Sequence, residues 1–213
     1  FLFGSDTMIH ETDIYQMNCA DSSAVEILFD RIEKQVGELA LLFGISHLPD
    51  GYKIQIDILD QNAFDQRKSL HFGKSAGSTI VAFSTVSICV VSYHAIHDRY
   101  TPEEYRQVIL HELVHVLQQI STRVPPEQNA WLYEAVACYL AGQYADISNK
   151  EKSHVPWHIF KKNFYMVPEC YSIAYHLGAA LLSDCASGEA VSRCSDVSLC
   201  ELICSRVYDG LFK

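Results

Sequence analysis

The sequence predicts an α+β fold: a small twisted β-sheet with a covering helix, followed by a mostly helical lobe. Three observations lead there. The β-rich stretches lie before residue 100, apolar residues at 3.6-residue spacing dominate after it, and one long helical pattern stands ahead of the main strands. The 213 residues suffice for a single domain, 1–213, expected as a sheet-containing lobe over 1–100 and a helical lobe over 101–213.

Residues 11–17 carry some strand character around Ile14 and Tyr15. Asp21-Ser22-Ser23 opens a helix, with Ser23 and Glu26 spaced as a capping box. Val25, Leu28, Phe29, Ile32, Val36, Leu39 and Phe43 follow at helical spacing, and Gly44 ends the run. Pro49-Asp50-Gly51 is a turn, and residues 53–60 alternate with period two, a strand with one buried face. Residues 65–78 read as an exposed loop or hairpin tip, and 78–83 and 86–93 as two further strands.

The next helix opens on Thr101-Pro102-Glu103-Glu104, an N-cap, a proline at the first helical position and a capping-box glutamate. Apolar residues from Val108 to Leu117 bury it on most sides, and Pro125-Pro126 stops it. It contains His111-Glu112-Leu113-Val114-His115, the pattern H-E-x-x-H. Residues four apart share one helix face, so two imidazoles at this spacing can bind one metal ion. Glu112, one residue along from His111, can reach a water on that ion without ligating it. This suits zinc-assisted hydrolysis, in which the metal lowers the water's pKa and the carboxylate takes its proton. Two hydrogen-bonded core histidines are the alternative. Catalytic zinc takes three protein ligands and leaves one position open. Eighteen residues separate His115 from a candidate third ligand, Glu134, in the helical stretch 130–141.

With H-E-x-x-H-x18-E and Trp131-Leu132-Tyr133-Glu134-Ala135-Val136-Ala137, the chain resembles the gluzincin metallopeptidases, most closely the aminopeptidase N-like branch. The second-helix motif there has the form W-L-x-E-G-x-A, and Ala135 replaces its glycine. The resemblance covers roughly residues 100 to 182. It implies a zincin-like fold and one zinc ion per chain, held by His111, His115 and Glu134, with Glu112 as general base. The small residues Ala135, Ala137, Cys138 and Ala141 agree with it, since they let the second helix approach the first. The metzincin pattern is excluded, because Gln118 and Ser121 stand where its glycine and third histidine belong. Tyr175-His176-Leu177-Gly178 resembles the family's Y-x-x-G segment, which implies that Tyr175 stabilises the oxyanion. Tyr171, one turn earlier, and a plain core tyrosine are the alternatives. The family's substrate-binding sheet edge would fall at 84–91, or that stretch is an interior strand. The G-x-M-E-N motif, whose glutamate binds a free substrate amine, is missing, so the resemblance does not extend to aminopeptidase specificity.

Residues 148–156 read as a surface loop, and His154 and His158 as non-ligands. A third helix is expected over 169–186, ended by Ser187-Gly188, and an amphipathic one over 196–211. Of eight cysteines, Cys138, Cys200 and Cys204 read as buried thiols, and Cys185 and Cys194 as the best disulfide candidates. Apolar residues make up 49% and charged residues 20%, a globular balance. The net charge of −10 argues against nucleic acid or an anionic membrane surface as partner. No run reaches membrane-spanning length and no leader is visible, although the chain starts at Phe1 without a methionine. Localisation leans to the cytoplasm. The function expected is zinc-dependent hydrolysis of peptide bonds in a peptide or protein substrate. An inactive zinc-binding scaffold and a zinc hydrolase of a non-peptide substrate are the other classes, and the oligomeric state is not encoded in any motif.

Overall fold

The computed structural model describes residues 8–11, 15–19, 26–46, 53–67, 77–82, 85–122, 124–148, 150–186 and 188–213. The described strands all lie before residue 92, with two helices among them, and helical elements follow. The chain divides into two compact units, 1–37 with 46–116, and 38–45 with 117–213. None of the described helices is long and apolar enough to cross a membrane.

The first unit holds a five-stranded sheet in the order β1-β2-β3-β5-β4. Its members in chain order are β1 (Met8–Glu11), β2 (Tyr15–Cys19), α1 (Glu26–Leu42), β3 (Lys53–Leu59), α2 (Gln61–Arg67), β4 (Gly77–Ala82) and β5 (Thr85–Val91). β1 pairs antiparallel with β2 and β4 with β5, while β3 runs parallel to both β2 and β5. One open alternative is decided and one expectation corrected here. β5 has partners on both sides, so of the two readings of this stretch Thr85–Val91 is the interior strand, and β1 and β4 are the edges of the described sheet. β3 is buried on more than one face, since Asp57 is buried along with Ile54, Ile56 and Ile58. A strand with parallel neighbours on both sides is a central strand, normally covered on both faces.

Helix α2 overturns part of the loop expected over 65–78, because its last residues are helical. Asp60 caps it by accepting from the Ala63 N–H at 2.8 Å. The short helix α3 (Tyr93–Ile96) then leads into α4 (Pro102–Ser121). The expected capping box forms in both directions. The Thr101 N–H donates to Glu104 Oε2 at 2.7 Å, and the Glu104 N–H donates to Thr101 Oγ1 at 3.2 Å. Tyr105 donates its hydroxyl to the Val91 carbonyl at 2.7 Å and so ties the start of α4 to the end of β5. Ser23, of the second expected capping box, lies outside the described residues.

The second unit is helical: α5 (Ala130–Ala141), α6 (Lys150–Ser153), α7 (Trp157–Lys162), α8 (Cys170–Leu182), α9 (Glu189–Ser195) and α10 (Val197–Leu211). α8 packs along α5, and Gly178 makes the close approach possible. A Cβ there would lie 1.9 Å from the Ala135 carbonyl oxygen and 2.7 Å from Tyr139 Cβ. The aromatic rings of Trp131, Trp157, Phe160 and Tyr208 gather into one cluster, Trp157 stacked on Phe160 and edge-on to Trp131. α8 stops at Leu182, short of the expected 186, and α9 fills the stretch between the two expected helices, to which no element was assigned. α10 begins as expected, with Asp196 accepting from the Leu199 N–H at 3.0 Å. Cys185 and Cys194, the best disulfide candidates, are both free thiols; Cys138, Cys200 and Cys204 are buried free thiols as read.

The C-terminal end of α1 belongs to this second unit. Gly44 takes φ +69°, the Ile45 N–H returns to the Ala40 carbonyl and the Gly44 N–H to the Leu41 carbonyl, a Schellman end. The carbonyls of Leu41 and Leu42 both accept from the Gly188 N–H at 3.1 Å.

Candidate metal centre

α4 is one unbroken helix that runs from the first unit into the second. Its last turn is fixed to α5 by the Gln118 side chain, which donates to the Tyr133 carbonyl at 3.2 Å. Upstream, i and i+4 spacing stacks His111 and His115, whose Nε2 atoms stand 3.0 Å apart. Glu134 occupies the first turn-and-a-half of α5. One ligand atom from each of His111, His115 and Glu134 lies within 4.8 Å of the others. The structure therefore brings together the three residues that the spacing singled out.

The donor set fits a zinc ion. Zinc–nitrogen bonds of about 2.0–2.1 Å at tetrahedral angles place two nitrogens about 3.3 Å apart. The observed separation of the two Nε2 atoms is close to that. Two imidazoles and one carboxylate are a donor set of the kind zinc accepts, with a fourth position left over. His111, Glu112 and Glu134 are buried, at 8%, 9% and 7% exposure, and His115 is half-buried. Charged and polar groups held in such a place need partners, and a bound cation serves that need.

Glu134 has a partner that no motif pointed to. Tyr165 donates its hydroxyl to Glu134 Oε1 at 2.9 Å. Tyr165 lies on a single 3-10 turn, Phe164–Met166, thirty-one residues beyond Glu134, and no sequence spacing advertises the contact. Around it, Tyr171 lies edge-on to Phe164 and stacks with Tyr144. Burial first, and the charge of Glu134 second, drive the Tyr171 phenol well above its ordinary range. Burial likewise pushes the Cys170 thiol up to about 11 and Cys138 well above its usual value, with Glu134 adding to both. These thiols are protonated packing groups.

Tyr175 packs its ring against Tyr139 and His176, with centroids at 5.7 and 5.5 Å. The His-His-Glu group does not include His154 or His158; both are exposed, and His154 stacks on Phe212. No family model matches this chain, and no curated protein or solved structure is significantly similar to it.

Proposed function

We propose that this chain is a zinc-dependent peptidase of the gluzincin type, built on a single zincin-like catalytic domain. The observation that carries the reading is the convergence of His111, His115 and Glu134 from two helices onto one point. In this reading those three residues hold one zinc ion. When bound, zinc supplies Lewis-acid polarisation of a carbonyl and an acidified water. Glu112 is the general base: fixed beside His111 on α4, its carboxylate accepts the water's proton and delivers it to the leaving amine. Tyr175 donates a hydrogen bond to the oxygen on which negative charge develops. The retained Glu112 favours catalysis over a binding scaffold, because a scaffold needs ligands but no base.

The test joins metal analysis to a peptide-library digest of the wild type and Glu112→Gln. Wild type should carry one zinc per chain and cut peptides. Glu112→Gln keeps the shape but cannot take a proton, so it should keep its zinc and turn over about a thousandfold more slowly. Loss of zinc from this variant would make Glu112 a ligand and overturn the assignment of roles.

A further inference from the structure

We infer that Tyr165 is a positioning residue for the metal centre: its hydroxyl pins one oxygen of Glu134 so that the other is presented to the ion. This rests on the zinc reading above and adds a residue to it.

Three features of the second unit support the assignment. The first is geometry. The Tyr165 hydroxyl lies 2.9 Å from Glu134 Oε1, within the range of an O–H···O hydrogen bond, and one donated to a carboxylate is stronger than one between neutral groups. A glutamate carboxylate can turn about its last torsion and offer either oxygen or both. A donor fixed on one oxygen removes most of that freedom before the metal arrives.

The second feature is the way the donor is held. Its 3-10 turn is clamped by buried neighbours on either side, Phe164 and Val167. The Val167 N–H returns to the Phe164 carbonyl at 3.1 Å, and the Met166 N–H to that of Asn163 at 2.8 Å. Phe164 in turn sits edge-on against Phe160, a fully buried ring of the core. The backbone under Tyr165 is thereby anchored, and a short rigid phenol reaches from it to the carboxylate.

The third feature is exposure. Tyr165 is 43% exposed, so its ring adds little to the core. A side chain left half in water, with its hydroxyl on a carboxylate that is nearly enclosed, contributes through that one bond more than through packing. The neighbouring Tyr171 ring, with its centroid 6.3 Å away, limits the directions in which Tyr165 can swing.

The wild-type chain, Tyr165→Phe and Tyr144→Phe are titrated with zinc against a competing chromophoric chelator. The visible spectrum of each is recorded with cobalt(II) in place of zinc, and the thermal midpoint of each metal-free protein is measured. Tyr165→Phe should bind zinc ten- to a hundredfold more weakly and show altered cobalt bands, with the metal-free protein, whose midpoint falls somewhat for want of that bond, still unfolding in one cooperative transition. Tyr144→Phe keeps its ring on Tyr171 and should bind as wild type does. If Tyr165→Phe binds zinc as tightly as wild type or more tightly, or if Tyr144→Phe is equally weakened, Tyr165 does not position the ligand and the zinc reading survives without it. A wild type that takes up no zinc overturns both.

Discussion

Tyr175 and Tyr165 pose the sharpest question at the scale of single residues. Tyr175 is the tyrosine that the family motif points to, and its ring lies against Tyr139 and His176. The hydroxyl bonded to Glu134 belongs to Tyr165. A donor to the oxyanion acts on the transition state more than on the bound substrate. Tyr175→Phe should therefore lower kcat by about a hundredfold, about 3 kcal/mol, with little change in KM or zinc content. Tyr171→Phe is the matched control; a large kcat loss there and none at Tyr175 would move the role one turn along α8. The difference between the two tyrosines also marks what the sequence can carry. His111 and His115 were legible because helix geometry alone puts residues four apart on one face. Glu134 was legible because its surrounding letters match a known second helix. Tyr165 was not, because its contact depends on how the chain between 142 and 165 returns to α5, and no local periodicity encodes that.

Helix ends were legible for the same local reason, and one of them allows a pH test. The Thr101 backbone N–H, and then its hydroxyl, hold the Glu104 carboxyl below its ordinary value. A folded-state value below the unfolded one means the contribution is complete above the unfolded value of about 4.3. It is lost as pH falls through the lower, folded value. Glu104→Gln should flatten that part of the stability–pH curve. At neutral pH it should cost no more than about 0.5 kcal/mol, because the group is solvated. Gly178 supplies the opposite kind of test. Glycine to alanine inside a helix ordinarily gains up to about 1 kcal/mol. Here the new Cβ would meet the Ala135 carbonyl at 1.9 Å, so Gly178→Ala should instead destabilise by about 1–3 kcal/mol in urea denaturation. A gain would mean that α8 and α5 are not in such close contact. Strand order, by contrast, could not be read from the strands' own residues. Whether β5 is an edge or an interior strand depends on which distant segments pair with it, and its alternating pattern suits both. Helices α2 and α9, at seven residues each, are too short for a 3.6-residue period to stand out.

For the molecule as a whole, metal should act on stability as well as on chemistry. An ion that binds the folded chain and not the unfolded one stabilises it by about 2.7 kcal/mol at a hundred times its Kd. Zinc should raise the thermal midpoint, a chelator should reverse the rise, and His115→Ala should abolish it; a midpoint indifferent to zinc would mean that the three residues do not hold the ion. The Leu41 and Leu42 carbonyls raise a different matter, since the N–H that caps them comes from Gly188. At ordinary rates of synthesis, roughly ten to thirty seconds separate the emergence of these two places from the ribosome. Segment 38–45 must wait through that interval for the rest of the unit to which it belongs. The helical half therefore cannot be released by a single cut. A fragment that starts at residue 117 lacks a piece of itself, and it should become protease-resistant only when a peptide carrying 38–45 is added back.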